Sequence, residues 1–133
     1  MCNTWKYPTE PQEEITAKDL EKLPNNVSAI NITGGEPLVR KDIEEVVDVL
    51  STKTKKLEIS TNGYFTDKLV RRANKHKYIS IRVSVGGLPQ INDDVMGIKN
   101  CFDHALRTIL KLKEIGVKNI GFANTVFAKN AED

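Results

Sequence analysis

The chain has 133 residues, 29% of them charged, and a net charge of +2. That length gives one domain, or part of one, with a real core, and so even a charge balance points to neither nucleic acid nor a membrane surface. No apolar run approaches the ~20 residues of a membrane span.

The opening Met1-Cys2-Asn3-Thr4-Trp5-Lys6 has no apolar signal core. The two cysteines, Cys2 and Cys101, make no disulfide framework, so a reducing cytoplasm is the expected setting. Residues 1–15 are polar and contain Pro8 and Pro11, which predicts a loop. Thr16 and Asp19 form a capping pair for a short helix through Ala17, Leu20 and Leu23 that stops before Pro24. Asn25-Asn26 is a turn and 29–33 a strand. Ile43, Val46, Val47 and Leu50, at i, i+3, i+4 and i+7, predict a helix over 40–53. A strand at 57–61 ends in Asn62-Gly63. Thr66 caps a helix to residue 76, buried through Leu69, Val70 and Ala73. A strand at 79–85 ends in Gly86-Gly87, and 89–99 reads as a loop. Asn100 caps the longest helix, 101–115, with Phe102, Leu106, Ile109, Leu110 and Ile115 apolar and Gly116 as its stop. The last strand is 119–127.

Helices alternating with strands predict βαβ units and a parallel sheet. A parallel sheet covered on both faces reads as continuous apolar runs, but these strands alternate. Ile30/Ile32, Leu57/Ile59, Ile79/Ile81/Val83/Val85 and Ile120/Phe122 would face the helices. Asn31/Thr33, Glu58/Ser60, Ser80/Arg82/Ser84 and Gly121/Ala123/Thr125 would face the other way. A polar face on a parallel sheet suggests the lumen of a barrel or half-barrel holding a polar ligand. The alternative is an exposed sheet face in a fragment.

The chain is organised around Asn31-Ile32-Thr33-Gly34-Gly35-Glu36-Pro37. Two glycines without Cβ let a ligand approach the backbone closely. Glu36 places a carboxylate, suited to an ammonium, at the carboxyl end of a strand, where open α/β sheets and barrels bind ligands. Pro37 holds the turn. Without a ligand, the same residues make a tight strand-to-helix turn with an incidental acid. A phosphate site is rejected, because Glu36 offers an acid where a phosphate needs a donor.

Taken together, these motifs resemble those of the radical S-adenosylmethionine (radical SAM) enzymes over nearly the whole chain. Cys2-Asn3-Thr4-Trp5-Lys6-Tyr7-Pro8 looks like the end of that family's C-x3-C-x2-C motif. Thr33-Gly34-Gly35-Glu36-Pro37-Leu38 resembles its second-strand motif, Ile59-Ser60-Thr61-Asn62-Gly63 its third strand and Val83-Ser84-Val85-Gly86-Gly87-Leu88 its fourth. Phe102-Asp103-His104-Ala105-Leu106 and Thr125-Val126 resemble the next helix and the fifth strand. The resemblance implies a parallel-stranded partial (β/α) barrel, about four βα units of a (β/α)6 radical SAM core. It implies a [4Fe-4S] cluster on three thiolates, with Cys2 as one of them. Reductive cleavage of S-adenosylmethionine at that cluster would generate a 5′-deoxyadenosyl radical. Gly34, Gly35 and Glu36 would contact the methionine ammonium; Ser60, Asn62 and Ser84 would lie near the carboxylate and ribose; 121–125, including Thr125, would pass near the adenine. An electron donor such as a flavodoxin or ferredoxin is implied, and a peptide or small-molecule substrate that the sequence does not specify.

Three departures from the family pattern stand out. The chain begins one residue before the third cluster cysteine, and it ends after the fifth strand, so it reads as a core truncated at both ends. Gly86 sits where many members have Asp, and Met96-Gly97 where many have Arg-Gly; Met cannot pair with a carboxylate. Two readings follow. One is the core of a radical SAM enzyme, inactive as this polypeptide alone. The other is a cluster-less α/β module with weak ligand binding, or self-association through open sheet edges.

The remaining candidates read as structural. Cys101 is expected to be a small buried apolar residue. His76, between Lys75 and Lys77, favours a helix dipole, and His104 is surface or packing. Cys2 with His104 lacks a third member as a nucleophile pair. Trp5 and Tyr7 pack over the cluster loop. Arg71-Arg72 and Lys53/Lys55/Lys56 are solvated faces.

Overall fold

A computed structural model describes residues 6–131. In chain order its regular elements are α1 (Ala17–Leu20), β1 (Ile30–Ile32), α2 (Ile43–Lys53), β2 (Leu57–Thr61), α3 (Thr66–Lys75), β3 (Ser80–Ser84), α4 (Pro89–Met96), α5 (Cys101–Glu114) and β4 (Ile120–Ala123). Single 3-10 turns sit at Pro11–Glu13 and Pro37–Val39. The strands form one sheet in the order β1-β2-β3-β4, every neighbouring pair parallel. An unreversed order is barrel winding: right-handed crossovers that always step the same way keep their helices on one side of the sheet. A doubly wound sheet would reverse at a switch point. The fold is therefore α/β with four parallel strands, consistent with a partial radical SAM (β/α) barrel.

The period-2 pattern sets the two faces. Ile32, Leu57, Ile59, Thr61, Ile81 and Val83 are buried toward the helices. They pack with Leu38, Val46, Val47 and Leu50 from the β1–β2 connection, Leu69 and Ala73 of α3, and Ala105, Ile109 and Leu112 of α5. Register aligns Asn31 with Glu58, Ser60 with Arg82 and Ser84 with Ala123 on the opposite face. The residues of that face are exposed or half-buried.

Local chemistry explains most boundaries. Thr16 and Asp19 form the reciprocal cap of α1, each side chain taking the other's backbone N–H. Gly97 (φ 72) ends α4, and Gly116 (φ 81) follows α5.

Several expectations are corrected. Residues 89–99 are mostly helix, not loop. α4 was hidden because its fully buried position is polar, Asn92, which breaks the apolar period. Thr66 is the first residue of α3 and does not cap it; its hydroxyl meets that of Thr108 at 2.6 Å. Asn100 (φ 60) caps α5 without its side chain. That work falls to Asp93, whose carboxylate accepts the N–H groups of Asn100 and Phe102. Leu106 and Leu110 are exposed, and α5 buries Cys101, Ala105, Thr108, Ile109 and Leu112. β4 ends at Ala123, so Thr125 lies beyond it.

Candidate functional site: the carboxyl rim of the sheet

The rim begins where β1 runs into its glycines. Gly34 has φ 140, a conformation open to glycine. A Cβ built there would meet nothing within 4 Å, so the space above this turn is open to a ligand. Glu36 then turns inward. Its Oε1 accepts the Thr61 hydroxyl at 2.8 Å and the Leu38 N–H at 3.1 Å, and its Oε2 accepts the Asn62 N–H at 2.7 Å. One carboxylate thus caps the 3-10 turn and ties the end of β1 to the end of β2. A carboxylate has about four acceptor positions, so Oε2 keeps capacity for a cationic donor.

The end of β2 is held from below as well. Thr61 is buried and its Oγ1 accepts the Gly63 N–H at 3.1 Å, while Thr108 of α5 donates to the Gly63 carbonyl at 2.6 Å. Gly63 has φ 76, and a Cβ there would fall 2.8 Å from Val83 Cγ1 and 3.1 Å from Ala105 Cα. Asn62 Oδ1 accepts the Tyr64 N–H at 2.9 Å. On the polar face, Ser60 Oγ donates to Asn31 Oδ1 at 3.1 Å across the β1–β2 pair.

At β3 and β4 the rim is stitched by two buried asparagines. Asn92 Oδ1 accepts the Gly86 N–H at 2.8 Å, and Asn130 Nδ2 donates to the Gly86 carbonyl at 2.9 Å. The same Nδ2 reaches the Thr125 carbonyl at 2.9 Å. Lower on the polar face, Arg82 pairs with Glu58 at 3.0 Å and lies over Gly121, where an added Cβ would collide with its guanidinium.

The structure therefore places Gly34, Gly35, Glu36, Ser60, Asn62 and Ser84 at or beside the carboxyl ends of three neighbouring strands, and joins Glu36 directly to Asn62. Thr125 reaches the group through Asn130. Cys2 lies outside the described residues. Sequence reasoning missed Thr61, Asn92 and Asn130. The first reads as an ordinary β-branched strand residue, and the asparagines as loop polarity; an Asn between Ile91 and Val95 was the available clue.

Of the other polar residues, Arg72 is corrected: it is buried rather than solvated, its Nη2 pairing with Glu44 at 3.0 Å, whereas Arg71 is exposed. Cys101 is buried and unpaired with sulfur, and burial, then the charge of Asp93, pushes its thiol up from the ordinary value. That disfavours the thiolate a metal needs. His76 pairs with Asp48 at 2.7 Å, one residue past α3 and at the opposite end of the sheet from the rim. His104 stacks on Tyr64 with ring centroids 4.3 Å apart.

A parallel, singly wound sheet with a glycine- and carboxylate-bearing carboxyl rim defines a barrel-type ligand-binding core. The model of the radical SAM superfamily matches residues 1–133, and the chain belongs to that superfamily. It is 35% identical, over 99% of its length, to the Fe-coproporphyrin III synthase of Methanosarcina barkeri, of which it covers 34%. It is 37% identical, over 97% of its length, to the GTP 3',8-cyclase of Mannheimia succiniciproducens, of which it covers 40%. It is 30% identical, over 96% of its length, to the sporulation killing factor maturation protein SkfB of Bacillus subtilis, of which it covers 31%. The chain thus spans between about a third and two-fifths of these relatives.

The family's two groups meet this chain differently. The open space over Gly34 and the spare acceptor position on Glu36 fit the amino acid end of S-adenosylmethionine. The three-thiolate cluster is provided for only in part by these 133 residues, which hold two cysteines, and among the described residues no three His, Cys, Asp or Glu side chains converge. Among the described residues no helix is long and apolar enough to cross a membrane.

Proposed function

We propose that this chain is the S-adenosylmethionine-holding part of a radical SAM enzyme core. The observation that carries the reading is the rim at the end of β1: an open, positive-φ Gly34 beside a Glu36 whose carboxylate is fixed by three donors. In this reading Glu36 takes the methionine ammonium, with the Gly34-Gly35 backbone lying against the amino acid end. Ser60, Asn62 and Ser84 flank the carboxylate and ribose, and Thr125 borders the adenine. Cys2 would supply one thiolate of a [4Fe-4S] cluster whose other ligands are not among these 133 residues; a cluster so held would supply the electron for reductive cleavage of the sulfonium.

The substrate is a peptide or a small molecule, since the relatives named above include a maturation protein and a GTP cyclase. A flavodoxin- or ferredoxin-type donor in the cytoplasm serves the reduction. With two cysteines, this polypeptide alone does not build the cluster and is inactive.

A second reading is favoured by β4. Its Phe122 lies on the helix-facing side yet is 61% exposed. Among the described residues that leaves an apolar, unpaired edge, suited to self-association without catalysis.

The test is anaerobic reconstitution with iron and sulfide, on this chain and on a form extended upstream by two cysteines in the motif's spacing. Cluster absorbance and reductive cleavage of S-adenosylmethionine are expected only in the extended form. Absence of both from the extended form would refute the enzymatic reading.

A further inference from the structure

We propose that Asn92 and Asn130 are positioning residues for bound S-adenosylmethionine, acting through the Gly86 peptide; the inference rests on the reading just given. The ladder between β3 and β4 ends with the bond from the Val85 N–H to the Ala123 carbonyl, 3.0 Å. Beyond it the two strand ends are joined by the Asn130 carboxamide. Its Nδ2 faces three acceptors: the Gly86 carbonyl, the Thr125 carbonyl and Asn124 Oδ1 at 3.2 Å. Its Oδ1 accepts the Phe127 N–H at 2.7 Å, which closes the turn that brings Asn130 back to the sheet. From the other side, Asn92 Oδ1 holds the Gly86 N–H. Both groups of the Gly86 residue are therefore fixed by buried side chains that belong to different elements.

Asn92 is fully buried and Asn130 is 4% exposed. Burying a carboxamide is unfavourable unless its atoms are bonded. Asn92 Nδ2 lies beside Asp93 and the Cys101 thiol without a well-formed hydrogen bond. A leucine in that slot would avoid the penalty, so what the asparagine contributes is the Oδ1 bond to Gly86. Helix α4 also packs directly on this backbone: a Cβ on Gly86 would come 3.0 Å from Val95 Cγ1. The Gly86 peptide is a fixed point, with Ser84 two residues before it and the Thr125 carbonyl on the same Nδ2. Releasing that point lets Ser84 and Thr125 move relative to each other while the core, which lies on the other face, stays packed.

The experiment is equilibrium dialysis of the 133-residue chain against S-adenosylhomocysteine at 25 °C, with denaturant melts to establish that each variant is folded. Asn130→Ala, which removes the clasp between the two strand ends, and Asn92→Leu, which removes the Oδ1 bond to Gly86, are each expected to bind about tenfold more weakly. Asn92→Asp keeps the acceptor; protonated in this buried slot beside Asp93, its O–H takes the place of the Nδ2 donor, and binding is expected within about threefold of wild type. Val47→Ala, which loosens the core beneath β1 and β2, is expected to bind as wild type despite a weaker melt. Unchanged affinity in folded Asn130→Ala and Asn92→Leu would overturn the inference alone, as would an equal loss in Val47→Ala. No binding by the wild-type chain would overturn the inference together with the reading it rests on.

Discussion

Glu36 does two jobs that its sequence context does not separate. As an acceptor for Thr61, Asn62 and Leu38 it is a structural staple; as a carboxylate beside an open glycine turn it is a ligand group. The first job alone predicts that Glu36→Ala destabilises the fold by about 1–3 kcal/mol, because it strands buried donors. Glu36→Gln keeps one acceptor and should cost less. Urea unfolding of the two variants checks this, and equal stability of Ala and wild type would contradict the staple. Asp93 gives a residue-scale pH effect. The Phe102 N–H, ahead of the Asn100 N–H, holds its carboxyl below the ordinary 3.8, against the opposing effect of burial. A lowered folded pKa means that its contribution is complete above pH 3.8 and is lost as pH falls through the folded value. Asp93→Asn should therefore lower Tm at neutral pH, and the gap to wild type should narrow as the melt is repeated at progressively lower pH. A gap that stays constant would show that Asp93 does not act through its charge.

At the scale of elements, the strands were legible because their alternation is carried by side chains whose burial the structure repeats: Leu57, Ile59, Ile81 and Val83 in, Glu58, Ser60 and Arg82 out. The termini of α1 and α5 were legible where glycine or a capping pair marked them. α4 was not legible, because its buried face is asparagine. Nor was the cap of α5, because Asp93 acts from seven residues before Asn100. Apolar residues on α5 misled for a different reason: Leu106 and Leu110 share a helix with the core residues but lie on its open side. Of the rim, its glycines and Glu36 could be read, whereas Thr61, Asn92 and Asn130 depend on contacts between distant segments. Gly63 shows how tightly those segments meet. Gly63→Ala must accommodate φ 76 and a Cβ 2.8 Å from Val83, so it should destabilise by about 2–3 kcal/mol. A loss below about 0.5 kcal/mol in a denaturant melt would mean that β2, β3 and α5 are not packed as described.

For the whole molecule, four parallel strands in unreversed order leave β1 and β4 with outer edges that are unpaired among the described residues. Phe122, Leu106 and Leu110 put exposed apolar surface on β4 and its neighbour α5. The expected consequence is concentration-dependent association in analytical ultracentrifugation, reduced by Phe122→Glu; a strictly monomeric wild type at high concentration would count against it. The central claim, that the carboxyl rim of this sheet receives S-adenosylmethionine, is tested most directly by amide NMR of the 133-residue chain titrated with S-adenosylhomocysteine. The account predicts shifts concentrated at Gly34, Gly35, Glu36, Ser60, Asn62, Ser84 and Gly86. Shifts confined to the opposite end of the sheet, around Lys55, Lys77 and Tyr78, or no shifts at all, would contradict it.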